Sequence, residues 1–294
     1  MSATTLPSDG VPTRDVALSL GRSRRRVNAI VVGLCTAATV IALFFLASIL
    51  FTLLLRGLGA VNLTVFTNMT RPPGSNGGLL NPIVGSIIQT LIGTLIGTPI
   101  GMLVGTYLAE YARNSALGNA VRFVSDVLLS APSILIGLFI YMLIVVPSGG
   151  FSGIAGCLAL ALIVIPIVVR TTEDMLRLIP DTLREAVIGL GSPKWKMIIL
   201  VCFRAARQGI ATGVLLAVAR VAGETAPLLF TSLGNLNWSV NLTQPMSSLP
   251  VTIYNYAGSA FPDWIELAWA GALIITVGVL VINVVARFLL RGRN

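Results

Sequence analysis

Residues 82–108 read PIVGSIIQTLIGTLIGTPIGMLVGTYL and contain no charged side chain. The run is longer than the about 20 apolar residues that a helix needs to cross the hydrocarbon core of a bilayer, so it predicts a membrane-spanning helix. Five glycines lie on one face of that helix, four of them at strict four-residue spacing: Gly85, Gly93, Gly97, Gly101 and Gly105. Small residues in this pattern let a neighbouring helix approach closely, and static packing is favoured over a sliding surface.

The composition extends this prediction to the whole chain. Of its 294 residues, 55% are hydrophobic and 11% are charged, and the mean hydropathy is +0.90. A soluble domain of this length would not carry so few charges, so lipid must be the solvent for most of the chain. Five further apolar runs predict spans at residues 27–55, 123–146, 151–169, 210–230 and 267–290. We therefore predict an all-α polytopic membrane protein with six transmembrane helices.

The positions of the basic residues predict how the chain is oriented. Of 20 Lys and Arg residues, 17 precede the first span, lie at or beyond the end of the sixth, or separate spans two and three or spans four and five. Arg56 and Arg71 fall on the other side, and Arg220 lies inside the fifth span. The positive-inside rule then places both termini and the loop around residues 170–209 in the cytoplasm. Because the basic residues track the loops, no nucleic-acid partner is expected.

The N-terminal residues have a different character from the rest of the chain. Residues 1–26 are mostly polar and basic, and they predict a disordered cytoplasmic tail. The apolar run that follows is too long for the apolar region of a cleavable signal peptide, so we interpret it as a retained helix. Residues 27–294 are then the transmembrane domain.

Several kinds of site are excluded or disfavoured by residue type. The chain has no histidine, and Cys35, Cys157 and Cys202 form no CxxC pair, so disulfide, His-ligated metal and Cys-His catalytic sites are not expected. Its two lysines, Lys194 and Lys196, are not part of a GxxxxGK[ST] loop that could cradle nucleotide phosphates. No cofactor is expected in this chain. If ATP drives its function, another polypeptide must bind the ATP and its magnesium ion.

Arg220 and Glu224 are the most informative charged pair. They are four residues apart in the predicted fifth span, which would place both on one helix face among small apolar residues. Charges at that depth are costly and should face partners or water. The pair could be a gate or a transient site for an oxyanion, or a structural ion pair between helices. Arg122 and Asp126 have the same spacing near a membrane edge and predict a structural pair.

The cytoplasmic segment at residues 180–208 predicts a docking element. It reads IPDTLREAVIGLGSPKWKMIILVCFRAARQ from residue 179 onward, and a Gly191-Ser192-Pro193 break divides a short helix from a second helix leading into the fifth span. A short amphipathic helix projecting from a membrane protein can insert into the groove of a soluble partner. The alternative is a basic loop resting on anionic lipid headgroups.

Several stretches carry a resemblance to a known family. They are GGLLNPIVGSIIQTLIGT at 77–94, YLAEYA at 107–112, APSILIGLFIY at 131–141, ARVAGETAPLLFTS at 219–232 and PMSSLPVTIYNYA at 245–257. Together with Glu185-Ala186-Val187 and Gly191, they resemble the inner-membrane permeases of bacterial ATP-binding-cassette (ABC) importers. The last two stretches resemble the phosphate-specific, PstA-type permeases within that family. The resemblance covers most of the chain from Gly77 onward.

The resemblance implies a MetI-like type I importer fold in a bacterial plasma (inner) membrane, working as a permease subunit for inorganic phosphate. It implies a heterodimer with a second permease, two ATPase subunits and an extracytoplasmic phosphate-binding protein. Arg220 and Glu224 would lie on the translocation pathway. The residues implied in ATPase coupling are Glu185, Ala186, Gly191, Lys194 and Trp195. Two departures from the family pattern affect the coupling loop: Val187 stands in place of Ala, and Phe203-Arg204 in place of Leu-Pro.

Other functions remain open on the residues alone. The chain could be a permease for a different oxyanion, because pore chemistry does not fix which anion is carried. It could also be an ion-coupled secondary transporter with Glu224 or Asp126 as the coupling carboxylate. A membrane-embedded scaffold or sensor is a third possibility, although the tail is too short to hold a signalling domain.

Overall fold

The computed structural model describes residues 14–291, and the regular structure in that range is helical. The helices are α1 (Arg14–Ala60), α2 (Leu63–Thr67), α3 (Leu80–Glu110), α4 (Ala116–Ser130), α5 (Ser133–Ile140), α6 (Val146–Ser148), α7 (Gly153–Arg177), α8 (Asp181–Gly189), α9 (Lys194–Lys196), α10 (Phe203–Ala222), α11 (Ala226–Thr231), α12 (Leu249–Ala257) and α13 (Pro262–Arg291). Two π-helical segments, Tyr141–Val145 and Met197–Cys202, join α5 to α6 and α9 to α10.

The chain divides into two compact units, Met1–Leu54 and Leu55–Asn294. The described part of the first unit is helical, and its side chains between Val27 and Leu50 are exposed and mostly apolar. The predicted disordered tail covers residues 1–26, but residues 14–26 are helical, so the prediction is wrong there. Arginine and leucine are good helix formers and allow the apolar helix to extend in this direction. Residues 1–13 lie outside the described residues.

Within residues 14–291, five helices are long and apolar enough to cross a membrane, and a sixth span is present if one bent pair is counted as a single crossing. The bent pair is α4 with α5 and its continuation to Ser148, and the two parts meet at 104°. The predicted continuous span at residues 123–146 is therefore wrong in shape. Ala131 is extended (φ −66°, ψ 137°) because a residue that precedes a proline, here Pro132, is disfavoured in a helix.

The predicted fifth span at residues 210–230 is also placed wrongly. The observed helical span is Lys194–Ala222, and it ends at Gly223, after which the separate helix α11 begins. Gly223 is the residue that caps the end of α10, and Pro227 occupies the first turn of α11, where its missing N–H costs nothing. Glu224 therefore lies between two helices and not within one.

The glycine face of α3 packs directly against α7. A Cβ atom added at Gly97 would lie 2.8 Å from Cβ of Val164, and one added at Gly101 would lie 2.7 Å from Cβ of Val168. Both distances are shorter than van der Waals contact. Val164 and Val168 belong to the main hydrophobic cluster of the second unit and are fully buried. The predicted close helix packing is confirmed at this face.

We expect Gly97→Ala to lower the free energy of unfolding of the detergent-solubilised protein by about 1–3 kcal/mol, because the new methyl group overpacks the contact with α7. Thermal unfolding followed by tryptophan fluorescence measures this. Gly278→Ala in α13 is the matched control, since nothing lies within 4 Å of the added Cβ. It should be neutral or stabilising by about 0.5–1 kcal/mol, since alanine favours a helix over glycine. Equal melting temperatures for the two variants would contradict the packing described here.

Candidate functional site

A buried ion pair fixes α8 to the end of α3. Nη2 of Arg184 donates to Oε1 of Glu110 at 2.8 Å, and the side chains of these two residues are 8% and 3% exposed. The same guanidinium donates to the backbone carbonyls of Leu176, at 2.7 Å, and of Ile179. A planar guanidinium with five donors can satisfy all of these acceptors at once. Arg184 therefore joins the carboxyl ends of α3 and α7 to the short helix α8.

Two further cations support this junction from its edges. Nζ of Lys194 donates to the carbonyl of Glu110 at 2.6 Å and lies 4.1 Å from the ring centroid of Tyr111. Nη1 of Arg113 lies 3.1 Å from Oδ1 of Asp181, the first residue of α8. The Lys194 contact is at the carboxyl end of α3, where backbone carbonyls lack helical partners and favour positive charge. The start of α9 is thereby held beside the start of α8.

A second junction forms near the end of α3. Nε of Arg122 lies 2.7 Å from Oε1 of Glu173 on α7, and Arg177 lies 2.7 Å from the same oxygen. Nη2 of Arg122 also donates to the carbonyl of Ala112 at 3.0 Å. The predicted pair of Arg122 with Asp126 is wrong, because Arg122 turns inward to Glu173. A buried carboxylate with two arginines outcompetes an exposed neighbour on the same helix.

The protonation state of Arg184 follows from its surroundings. Burial alone would lower the pKa of the Arg184 guanidinium, but the hydrogen bond and charge of Glu110 outweigh burial and raise this pKa above its usual value. A group whose pKa is raised on folding stabilises the folded state fully at pH values below its ordinary pKa, and this effect is lost as pH rises through the raised pKa of the folded state. The positive charge of Arg184 therefore persists throughout the physiological range.

The predicted coupling residues lie around this junction in the predicted order of helix, turn and helix. Glu185 and Ala186 are exposed on α8, and Gly191 adopts φ 80°, a left-handed conformation that favours glycine. Trp195 is 56% exposed on α9. Lys194 differs from these residues, because its ammonium group is engaged within the chain at Glu110.

Several large apolar side chains of this segment are exposed, alongside charged ones. Its large side chains include Leu190, which is 88% exposed, and it also presents Leu183, Ile188 and Trp195. We call these four residues the α8 face. On the inner side, Val187 packs against a hydrophobic cluster that contains Met197 and Cys202. A helix with one apolar side packed and another apolar side exposed is suited to binding a partner.

Arg220 and Glu224 are close together but not on one helix. Nε of Arg220 lies 3.7 Å from Oε1 of Glu224. Arg220 is in the last turn of α10, whereas Glu224 follows the capping residue Gly223, so the predicted shared helix face is wrong. The side chain of Arg220 is 46% exposed and that of Glu224 is 14% exposed. The guanidinium therefore keeps donors available for a ligand while the carboxylate remains beside it.

Sequence reasoning missed the residues that hold α8 in place. Glu110 and Arg184 are 74 residues apart, so no local spacing relates them. A signal was present in the chemistry: a glutamate at the end of a long apolar span and an arginine within a short amphipathic helix both need partners. Across the described range, no group of three or more His, Cys, Asp or Glu side chains could hold a metal ion.

Comparison with known proteins gives a consistent result. The family model described as "binding-protein-dependent transport system inner membrane component" matches residues 97–293. The chain is 52% identical to the phosphate transport system permease protein PstA of Yersinia pestis over 265 residues, which is 90% of each chain. It is 53% identical to the corresponding Haemophilus influenzae protein, covering 92% of this chain and 96% of that one.

A more distant relative and a solved structure extend the comparison. PstA 1 of Mycobacterium tuberculosis strain H37Rv is 34% identical, over 94% of this chain and 91% of its own. An inward-facing structure of the MetNI methionine ABC transporter aligns with a TM-score of 0.60 at 18% identity, covering 73% of this chain and 95% of that one. At that identity the likeness concerns the fold alone, and it confirms the predicted type of permease fold.

Proposed function

This chain belongs to the family of binding-protein-dependent transport system inner membrane components, and we propose that it is the membrane permease of an ATP-driven importer of inorganic phosphate. The observation that carries this proposal is identity of 52% and 53% to two proteins named phosphate transport permeases, over 90% or more of every chain compared. Likeness over nearly the full length includes both the spans and the loop that holds α8.

The mechanism we propose uses α8 as a lever. The ion pair of Arg184 with Glu110 and the contact of Lys194 with the same residue attach the lever to α3. Because α3 packs tightly along α7, a push on α8 is transmitted to two spans at once. Partner ATPases bind ATP and magnesium, and their movement displaces α8. The spans respond by exposing the pathway first to one side of the membrane and then to the other. No covalent chemistry occurs in this chain.

The partners and location follow from the same assignment. We propose a heterodimer with a second permease, two ATPase subunits on the cytoplasmic side and a phosphate-binding protein on the outer side, in a bacterial plasma membrane. The excess of Lys and Arg on one set of loops supports cytoplasmic termini and a cytoplasmic α8. In this arrangement the α8 face meets the ATPase.

The role proposed for Arg220 and Glu224 is on the translocation pathway. Arg220 is half exposed and its Nε lies 3.7 Å from a carboxylate oxygen, so part of the guanidinium remains open. An oxyanion can form charge-assisted hydrogen bonds with that open side. Glu224 keeps the site from binding the anion too tightly, which transport requires because the anion must also leave.

Leu190→Asp is expected to reduce the amount of ATPase that co-purifies with this chain by about tenfold or more, since truncating a central interface anchor costs about 2 kcal/mol. The measurement is the ATPase-to-permease ratio after affinity purification in mild detergent. Leu63→Asp is the matched control. Leu63 is 79% exposed in α2, which contacts the start of α3, whereas α8 contacts its end.

The Leu63→Asp variant should retain the wild-type ratio of ATPase to permease. A Leu190→Asp variant that also retained it would contradict the placement of the ATPase on the α8 face.

The experiment that tests the function itself is uptake of radiolabelled phosphate by cells from which this gene is deleted. Restoring the gene should restore high-affinity phosphate uptake. Excess arsenate, which has the same shape and charge, should compete, and excess sulfate should compete poorly. If sulfate abolishes the uptake, or if deletion leaves phosphate uptake unchanged, the assignment to phosphate is wrong.

A further inference from the structure

A cavity of about 500 Å³ lies between the end of α1 and the beginning of α13. It is separate from the α8 face and from Arg220. Its lining combines charged, aromatic and small residues: Leu55, Arg56, Gly59, Ala60, Pro262, Ile265, Glu266 and Trp269. The two helices touch beside it, because a Cβ added at Gly57 would lie 2.8 Å from Cβ of Leu273. The cavity is therefore a recess between packed helices.

Two opposite charges line this recess without pairing. Within the described part of the chain, neither Arg56 nor Glu266 has an ion-pair partner within 4.0 Å, and they are not paired with each other. The guanidinium carbon of Arg56 lies 5.5 Å from the ring centroid of Trp269. A cation and an anion that share a cavity but stay apart leave room for a ligand that carries both charges.

Both charged residues of the recess lie near the ends of apolar spans, the level at which lipid headgroups are expected. Arg56 is four residues before the end of α1, and Glu266 is four residues after the start of α13, so each is about 6 Å along its helix axis from a span end. Tryptophan is enriched at this level of membrane proteins because its ring is apolar and its N–H is polar. Arg56 is also one of only two basic residues, with Arg71, in the loops predicted to lie opposite the cytoplasm.

We infer that this recess binds the zwitterionic headgroup of a phospholipid, in which a phosphate and an ammonium group are joined by a short link. The phosphate would accept hydrogen bonds from Arg56, which suits phosphate geometry. The ammonium group would form an ion pair with Glu266, which lines the same cavity. An anionic headgroup without an ammonium group would satisfy Arg56 and leave Glu266 unpaired beside a like charge.

The test is retention of lipid by the full-length chain purified with its accompanying subunits from vesicles of equal phosphatidylethanolamine and phosphatidylglycerol. Native mass spectrometry counts the retained lipids. Wild type should retain phosphatidylethanolamine in preference to phosphatidylglycerol. Arg56→Gln and Glu266→Gln should each lower this retention about fivefold, because one charge near a membrane surface contributes about 1 kcal/mol. Arg71→Gln, the other outer arginine, is the matched control and should retain as much as wild type.

Two further measurements separate the alternatives. Soluble phosphoethanolamine carries the same charges without acyl chains, and displacement of the lipid by it would identify a soluble ligand as the occupant. Added phosphatidylethanolamine should raise the melting temperature of wild type in detergent and leave that of Glu266→Gln unchanged. Equal retention by wild type and both variants would overturn the inference, and so would a preference for phosphatidylglycerol that Glu266→Gln leaves unaltered.

Discussion

Arg184→Gln is expected to abolish most ATP-driven uptake, because it leaves the carboxylate of Glu110 buried without its partner. Removing one member of a buried ion pair costs about 3–5 kcal/mol. This ion pair attaches α8 to the end of α3. Helix α8 should then move without moving α3 and α7. Uptake and ATPase activity measured on the same reconstituted transporter report this loss of coupling.

Two control variants separate the loss of the Arg184 charge from the loss of its guanidinium geometry. Arg184→Lys keeps the charge but cannot reach Glu110 and the carbonyls of Leu176 and Ile179 together, so it should give intermediate uptake. The double variant Arg184→Met with Glu110→Leu removes both charges and should be more stable than Arg184→Gln, although the two carbonyls lose their donor. Wild-type uptake and melting temperature in Arg184→Gln would show that the ion pair does not hold the lever.

Arg220→Gln is expected to lower phosphate uptake by about 10- to 150-fold, which corresponds to losing one hydrogen bond to a charged group, about 1.5–3 kcal/mol. Its stability should change by less than about 1 kcal/mol, because Arg220 is half exposed and such pairs contribute little. Initial uptake rates, normalised to the amount of protein in the membrane, give the first quantity. Thermal unfolding gives the second.

Glu224→Gln and the double variant Arg220→Gln with Glu224→Gln complete this test. If the pair were only structural, both single variants would lose stability, neither would lower normalised uptake, and the double variant would lose little more than either alone. On a translocation pathway, Arg220→Gln lowers uptake while its melting temperature is retained. Normal uptake by Arg220→Gln at normal protein levels would reject a role for this residue in transport.

Hydropathy predicted where the chain meets lipid better than it predicted where helices end. The runs at residues 27–55, 82–108, 151–169 and 267–290 each lie mostly within one observed span. The predictions failed at Pro132 and at Gly223, where apolar character continues but the backbone turns. Transfer from water to lipid depends on side chains, whereas helix direction depends on local backbone preferences, so the two need not agree.

The candidate sites were predictable to different degrees. The turn at Gly191 and the helices around it follow from local sequence, and the structure confirms them. The contact of Arg184 with Glu110 depends on how α3 and α8 meet in three dimensions, and no local spacing relates two residues 74 positions apart. The inward position of Lys194 was missed for the same reason, because its acceptor is a backbone carbonyl 84 residues away.

We propose that this chain moves phosphate only when ATPase subunits drive it through α8. The most direct test is phosphate uptake into proteoliposomes, with this chain reconstituted alone or with its second permease, ATPases and binding protein. We expect uptake by the complete assembly with ATP, and none by this chain alone under a proton or sodium gradient. Gradient-driven uptake by the chain alone would contradict the account and identify an ion-coupled transporter.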